Sequence, residues 1–388
     1  MHPFEYHIPT KVIFGEGTIG QLGEVASTFG KKVMFVSYDE SFVKSVGLLD
    51  KAMKPLQDAG LEVVPFFGAK PNPTVEHIRE GIVLAKKEKP DVVIALGGGS
   101  VIDTAKAIAF GAFSDADIWA LATGEAEAAE ALPIIAVTTI PATSSEMNPT
   151  SVISNDEFSR KEGFGSPMMF PKVAICDPEL TYSIPIGPTA VAAADIVSHL
   201  LEGYLNHKLE WAPMQNRYAT GMIRTVIDCM DRLLKDPKNP EARAMLMWTA
   251  TFAWNGFYVC GLGPHDAIIH IVGHTFSGFY DTVHGAAMSV TIPAIMKFHR
   301  DERIARFSDF AREVFGAHGE DSLELAQSAI DSITAWFKKI GAPTNFKEAN
   351  IPTDKMSEMA DDMLLTAEHW GTTSYTKEMM LDILELCK

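Results

Sequence analysis

The residues best suited to chemistry lie close together, in the stretch HDAIIHIVGHTFSGFYDTVHG over residues 265–285, which holds His265, His270, His274 and His284. His270 and His274 are four apart, so on a helix they share a face. His284 follows after Gly278 and beside Gly285, which predicts that the helix breaks and the chain turns back. Upstream, AAADIVSHLLEGYL holds a second pair at the same spacing, Asp195 and His199. Three imidazoles and one carboxylate make a four-ligand set for a first-row divalent metal and leave histidine over for chemistry. One such pair in an apolar helix is more often ordinary core than a ligand site. Two pairs in one chain, together with a nucleotide loop, shift the balance toward a metal centre.

Two glycine clusters compete for the nucleotide loop. Gly15-Glu16-Gly17-Thr18-Ile19-Gly20 is a literal GxGxxG between a strand and a helix, and Asp39 closes the next strand near the spacing expected of a ribose-binding acid. Gly97-Gly98-Gly99-Ser100 directly follows DVVIAL, the most apolar strand-like run in the chain. Bare amides at a helix N-terminus suit a pyrophosphate, and glycines let the backbone approach it. For either cluster the alternative is a tight strand-to-helix turn.

The elements that must position these residues alternate in the first half. Strands are expected at 11–14, 31–38, 61–67, 91–96, 132–139 and 172–177. Helices are expected from IGQLGEVASTF, from FVKSVGLLDKAMKPLQDAG as one unit, from residues 74–89 and from SVIDTAKAIAF. Alternation of this kind predicts a parallel, doubly wound α/β sheet. After the prolines between Asp177 and Pro188 the pattern becomes helical to the end of the chain. The expected domains are therefore an α/β nucleotide-binding domain over 1–183 and an all-helical metal-binding domain over 184–388.

Bulk properties narrow the function classes. A chain of 388 residues has room for two domains, and 47% hydrophobic with 21% charged residues is ordinary globular composition. The formal net charge of −17 argues against nucleic acid and anionic membrane surfaces as partners. Cys176, Cys229, Cys260 and Cys387 are widely spaced and read as free thiols of a reducing compartment. The start, MHPFEYHIPT, has no signal-peptide pattern, and no apolar run is long enough to span a membrane. A cytoplasmic location is expected.

Taken together, FGEGTIGQLG, KPNPT, ALGGGSVIDTAKAIA, AVTTIPATSSEMNPTSVIS, ADIVSHLLEGYL and HIVGHTFSGFYDTVHG resemble the iron-containing (group III) alcohol dehydrogenases, in particular the butanol dehydrogenase and aldehyde reductase branch. The likeness runs nearly end to end. It implies a dehydroquinate synthase-like fold and a pyrophosphate on the second glycine cluster, with Gly98, Gly99 and Ser100 as contacts and Gly15, Gly17 and Gly20 as a structural turn. By position it implies further cofactor contacts at Asn72, Asp103, Thr138, Thr139, Ser144 and Lys161. Asp39 is placed at the adenosine ribose, where its charge favours NAD over NADP. The implied metal ligands are Asp195, His199, His270 and His284, holding Fe²⁺ or Zn²⁺, and His274 is the non-ligand histidine beside the substrate.

The reaction this implies is hydride transfer between NAD(P)(H) and a small primary alcohol or aldehyde such as butanol or butanal. The metal acts as a Lewis acid on the substrate oxygen and His274 relays the proton. Phe252, Trp254 and Phe257 are candidates for an alkyl pocket, against plain helix packing as the ordinary alternative. Rival readings on the same fold are a glycerol dehydrogenase and a dehydroquinate synthase. The latter needs a basic cluster near the metal, and no Lys or Arg sits in the ligand motifs. A non-catalytic NAD or metal sensor is the rival of another class. The resemblance also implies a homodimer, with the N-terminal segment FEYHIPTKVIF as a candidate contact strand.

Overall fold

The computed structural model describes residues 1–388. Its strands are β1 (Lys11–Phe14), β2 (Lys32–Ser37), β3 (Glu62–Phe67), β4 (Val92–Gly97), β5 (Ile134–Thr138), β6 (Thr150–Asn155), β7 (Arg160–Gly165) and β8 (Val173–Cys176). Between and after them run α1 (Leu22–Ser27), α2 (Glu40–Ser45), α3 (Leu48–Asp58), α4 (Val75–Glu88), α5 (Gly99–Gly111) and α6 (Ile118–Ala122). No strand follows β8. The remaining helices are α7 (Ile186–Asn206), α8 (Pro213–Leu233), α9 (Pro240–Ala253), α10 (Ile268–Tyr280), α11 (His284–Phe298), α12 (Ile304–Phe315), α13 (Leu323–Ile340), α14 (Met356–His369) and α15 (Lys377–Leu386). No helix is long and apolar enough to cross a membrane.

The chain separates into two compact units. One comprises residues 7–184 and 238–255; the other comprises 1–6, 185–237 and 256–388. Neither is a single stretch: α9 belongs with the sheet, and the first six residues belong with the helical unit.

In the sheet unit six strands run parallel in the order β1-β8-β5-β4-β2-β3. Alternate residues feed two separate cores. Met34, Val36, Val93, Ala95, Ile134 and Ala136 pack on one face with α4, α5 and α6; Val33, Phe35, Val92, Ile94, Ile135 and Val137 pack on the other with α1 and α3. Burial on both faces is why these strands read as unbroken apolar runs. The chain leaves β2 toward β3 but returns to place β4 on β2's other side, and β5 beyond it. The order therefore reverses between β2 and β4. At such a switch point the loops after neighbouring strands diverge and leave a crevice.

Two local expectations are corrected. The stretch after β2 is two helices, because Gly47 adopts a left-handed φ of 74° and ends the first turn of helix. An antiparallel hairpin, β6–β7, stands where no strand is expected. Its reason lies in α5, which is buried at Gly99 and at every residue from Val101 to Gly111. A helix buried on all sides needs cover on all sides, and Ile153 and Phe164 of the hairpin join its core.

A buried cation ties hairpin to helix. Lys106 Nζ donates to Ser145 Oγ at 2.8 Å, to Asn148 Oδ1 at 3.0 Å and to the carbonyls of Asn148 and Thr150, each at 2.8 Å. Ser145 Oγ in turn donates to Asp103 Oδ1 at 2.6 Å. Burial pushes the Lys106 ammonium down to about 8, against the opposing pull of Asp103 and Glu146. Lys106→Met would leave four buried acceptors and one buried carboxylate without their cation. The expected loss is about 3–5 kcal/mol, read as a lowered midpoint in equilibrium urea unfolding.

In the helical unit α7 is the central element. Its residues from Ala192 to Asn206 are all buried, with α8, α10, α11 and α13 packed around it. The N-terminus of α11 approaches it closely, because a Cβ at Gly285 would lie 2.0 Å from the Val191 carbonyl oxygen. That glycine sets the position of its neighbour, His284.

Candidate functional site

The helical unit gathers the carboxylate and the histidines. One ligand atom each from Asp195, His199 and His270 lies within 4.8 Å of the others, and all three residues are buried. Asp195 and His199 come from successive turns of α7, with Asp195 Oδ1 3.9 Å from His199 Nδ1. His270 stands in the first turn of α10, its ring centroid 4.8 Å from that of His199. The chain then turns at Asp281, which takes a left-handed φ of 51°, so the break falls after Tyr280 and Gly278 stays helical. His284 opens α11 and brings its Nε2 to 3.3 Å from Asp195 Oδ1. His274 is next to the cluster, with its ring 5.1 Å from His284 and edge-on to Trp370 at 5.2 Å.

The donor set fits a divalent first-row metal. It mixes one carboxylate with imidazoles in a buried cluster, the chemistry expected of iron or zinc. Ligand imidazoles must be neutral. Burial first, and the neighbouring His270 second, hold His199 well below the ordinary histidine range. His265 takes no part in this group; its Nδ1 lies 3.3 Å from the Gly263 carbonyl oxygen.

One residue of this site was not singled out from sequence. Glu202, on α7, is fully buried, and its Oε2 lies 2.7 Å from His270 Nδ1. The available signal was its spacing: Asp195, His199 and Glu202 fall at i, i+4 and i+7, one helical face.

The sheet unit places the second glycine cluster at the switch point, at the end of β4 and the start of α5. All 13 residues of α5 stand behind that N-terminus, whose partial positive charge and open amides suit a phosphate. A Cβ at Gly99 would lie 2.3 Å from Thr143 Oγ1, so the loop tolerates no side chain there. Gly98 N–H donates to Tyr38 Oη at 3.0 Å, joining this loop to the end of β2. Asp39 follows Tyr38 at the surface, where it caps α2 through Ser41 N at 2.9 Å and Phe42 N at 3.2 Å. The first cluster, by contrast, lies after the edge strand β1, away from the switch point. There Ile19 N–H donates to Asp177 Oδ2 at 3.1 Å, and Gly17 turns with φ 73°.

Of the other residues named for the cofactor, Asn72, Ser100, Asp103, Ser144 and Lys161 have side-chain partners within the chain. Lys161 Nζ donates to Asn72 Oδ1 at 2.9 Å. Asp103 accepts from Ser145 Oγ and, at 3.1 Å, from Val152 N–H. Ser100 Oγ donates to the Pro71 carbonyl. Ser144 Oγ donates to the Ala250 carbonyl and accepts from Trp254 N–H at 2.8 Å, which pins the end of α9. Thr138 and Thr139 are buried at the end of β5. Two of the three aromatic residues named for an alkyl pocket sit in ring clusters, Phe252 against Trp248 at 4.6 Å and Phe257 against Tyr6 at 5.6 Å and Tyr218 at 5.4 Å.

Comparison with known proteins identifies the family. Residues 9–178 match the family model "Iron-containing alcohol dehydrogenase", and residues 189–388 match "Fe-containing alcohol dehydrogenase family, C-terminal". The chain is 36% identical to the probable NADH-dependent butanol dehydrogenase 1 of Bacillus subtilis over 387 residues, 99% of each chain. It is 32% identical to the NADPH-dependent aldehyde reductase YqhD of Escherichia coli over 90% of this chain and 89% of that one. Among solved structures, the NADH-dependent butanol dehydrogenase A of Thermotoga maritima superposes with a TM-score of 0.95 at 37% identity, covering 100% of this chain and 99% of that one. The chain belongs to the iron-containing alcohol dehydrogenase family and is a nicotinamide-dependent alcohol and aldehyde oxidoreductase.

Proposed function

We propose that this enzyme interconverts small primary alcohols and aldehydes, butanol and butanal among them, with NAD(H) as its preferred cofactor and one Fe²⁺ or Zn²⁺ per chain. The observation that carries the reading is the convergence of Asp195, His199 and His270, with His284 Nε2 3.3 Å from Asp195. When bound, the metal supplies Lewis acidity toward the substrate oxygen and the nicotinamide gives or takes the hydride.

The chain's own residues do the rest. Asp195, His199, His270 and His284 hold the ion, and the carboxylate offsets part of its charge. His274, buried beside His284, is placed to hold and pass the proton of the hydroxyl group. The amides of Gly99 and Ser100 at the start of α5 receive the pyrophosphate, beside the bare backbone of Gly98, whose own amide is held by Tyr38, with Asn72, Asp103, Thr138, Thr139, Ser144 and Lys161 around that loop. Asp103 and Ser144 serve there by fixing backbone, given the internal partners of their side chains. Asp39 meets the adenosine ribose. The names of the butanol dehydrogenase relatives support NADH and a butanol-sized substrate.

We also propose a homodimer and a cytoplasmic location. Strand β1 pairs on one side only, with β8, and near it Phe14 and Trp248 expose aromatic surface. Four free cysteines suit a reducing compartment.

The test is anaerobic turnover of butanal by metal-stripped protein reloaded with Fe²⁺ or Zn²⁺, with NADH and NADPH in parallel. Metal-dependent oxidation of NADH is expected. Failure with both metals and both cofactors would overturn the proposal and favour the cyclase-like or sensor readings.

A further inference from the structure

Glu202 makes four hydrogen bonds inside the helical unit. Its Oε1 accepts from Asn206 Nδ2 at 2.6 Å and Ile269 N–H at 3.2 Å; its Oε2 accepts from His270 N–H at 2.9 Å and stands 2.7 Å from His270 Nδ1. Two of these satisfy backbone donors in the first turn of α10, donors that a helix leaves without intrahelical partners. The contact with Nδ1 is of another kind. It joins a wholly buried carboxylate to the ring of one candidate ligand, and it fixes the tautomer: Nδ1 carries the proton and Nε2 keeps the lone pair. Asn206 holds the carboxylate from behind. Its own Nδ2 donates to the Asp266 carbonyl at 2.8 Å, and its Oδ1 accepts from Arg303 at 2.6 Å.

We propose that Glu202 is a positioning residue of the metal centre, acting through His270, and that its negative charge strengthens metal binding. This rests on the reading of Asp195, His199, His270 and His284 as ligands. A carboxylate on the far nitrogen orients an imidazole and makes its other nitrogen a stronger donor. The charges also balance: Asp195 and Glu202 bring two formal negative charges, the complement of one divalent cation. A residue that only capped α10 would serve as well from the two backbone contacts and would not need Nδ1. The ring contact separates the two roles.

The experiment measures Zn²⁺ dissociation constants by competition with a chromophoric chelator, on the full chain stripped of metal. Variants are Glu202→Gln, Glu202→Asp and, as a control, Ser322→Ala. Ser322 caps α13 through Leu325 N–H, so its loss weakens a helix start in the same unit without touching the centre. Outer carboxylate partners of ligand histidines are worth about 10- to 100-fold in metal affinity, and a loss of that size is expected for Glu202→Gln. The control should bind as wild type does. With Co²⁺ as the probe, the visible absorption bands of Glu202→Gln should shift from those of wild type, a change that mere loosening of a helix start does not produce.

A folded Glu202→Gln protein with wild-type Zn²⁺ affinity would overturn the proposal. Should that variant fail to fold, Glu202→Asp carries the same test, because it keeps the charge and withdraws it from Nδ1 by one methylene. Equal affinity there would overturn it too. Wild-type protein that binds no stoichiometric metal would remove the ligand reading itself, a result plainly different from a change between variants.

Discussion

Asp195→Ala protein, stripped of metal and offered Fe²⁺ or Zn²⁺, is expected to stay folded and to lose butanal reduction by about 10³-fold, equivalent to about 4 kcal/mol of transition-state stabilisation. Asp195 is the residue to choose because its Oδ1 is shared: it lies 3.9 Å from His199 Nδ1 and 3.3 Å from His284 Nε2. It is also the one anionic member of the cluster. Removing an imidazole leaves a charged site with fewer donors; removing Asp195 leaves only neutral donors facing a dication. Asp195→Asn separates the two contributions, since a carboxamide oxygen still offers a lone pair but no charge. Its activity is expected to fall between those of Asp195→Ala and wild type. Metal content after gel filtration and the far-ultraviolet circular dichroism spectrum distinguish lost metal from lost fold. An Asp195→Ala enzyme that kept stoichiometric metal and turnover within tenfold of wild type would sink the ligand assignment.

Much of this arrangement is legible in the residues alone, for a definite reason. Helical spacing places Asp195 with His199 on one helix face and His270 with His274 on another, and strands buried on both faces announce themselves as DVVIAL does. What is not legible depends on partners distant in sequence. Glu202 reads as one more acid on a helix until α10 folds against it and presents His270 Nδ1. The β6–β7 hairpin escapes because TSVISN and RKEGFG are polar segments; they become strands because α5 must be covered. The internal partners of Asp103 and Ser144 are equally hidden, since spacing near a glycine loop does not say that both side chains are also held inside the sheet unit. Topology sets the two glycine clusters apart, since spacing does not say that β1 lies at the sheet's edge and β4 beside the switch point.

The same topology supports the second large prediction. Asp39→Ser is expected to shift the ratio of kcat/KM for NADH over NADPH downward by about 10- to 100-fold, chiefly by improving NADPH. Asp39 lies two residues past the end of β2, beside the switch point and next to the tyrosine that binds Gly98 N–H. The hydroxyl and amide of Ser41, with the amide of Phe42, hold its carboxyl below the usual carboxylate range, so it is fully ionised at neutral pH. A 2′-phosphate brought beside it meets a like charge. Serine removes that charge and still caps α2, since its hydroxyl accepts from the same amides; the thermal midpoint should hardly move. Asp39 is solvent-exposed, which makes salt a second handle. Repulsion between exposed charges is screened within about 10 Å at 0.1 M ionic strength. The wild-type penalty against NADPH should therefore shrink as salt is raised, while the Asp39→Ser ratio stays nearly flat. A wild-type enzyme that favours NADPH, or a variant with an unchanged ratio, would show that Asp39 does not face the ribose, and would leave the enzyme class untouched.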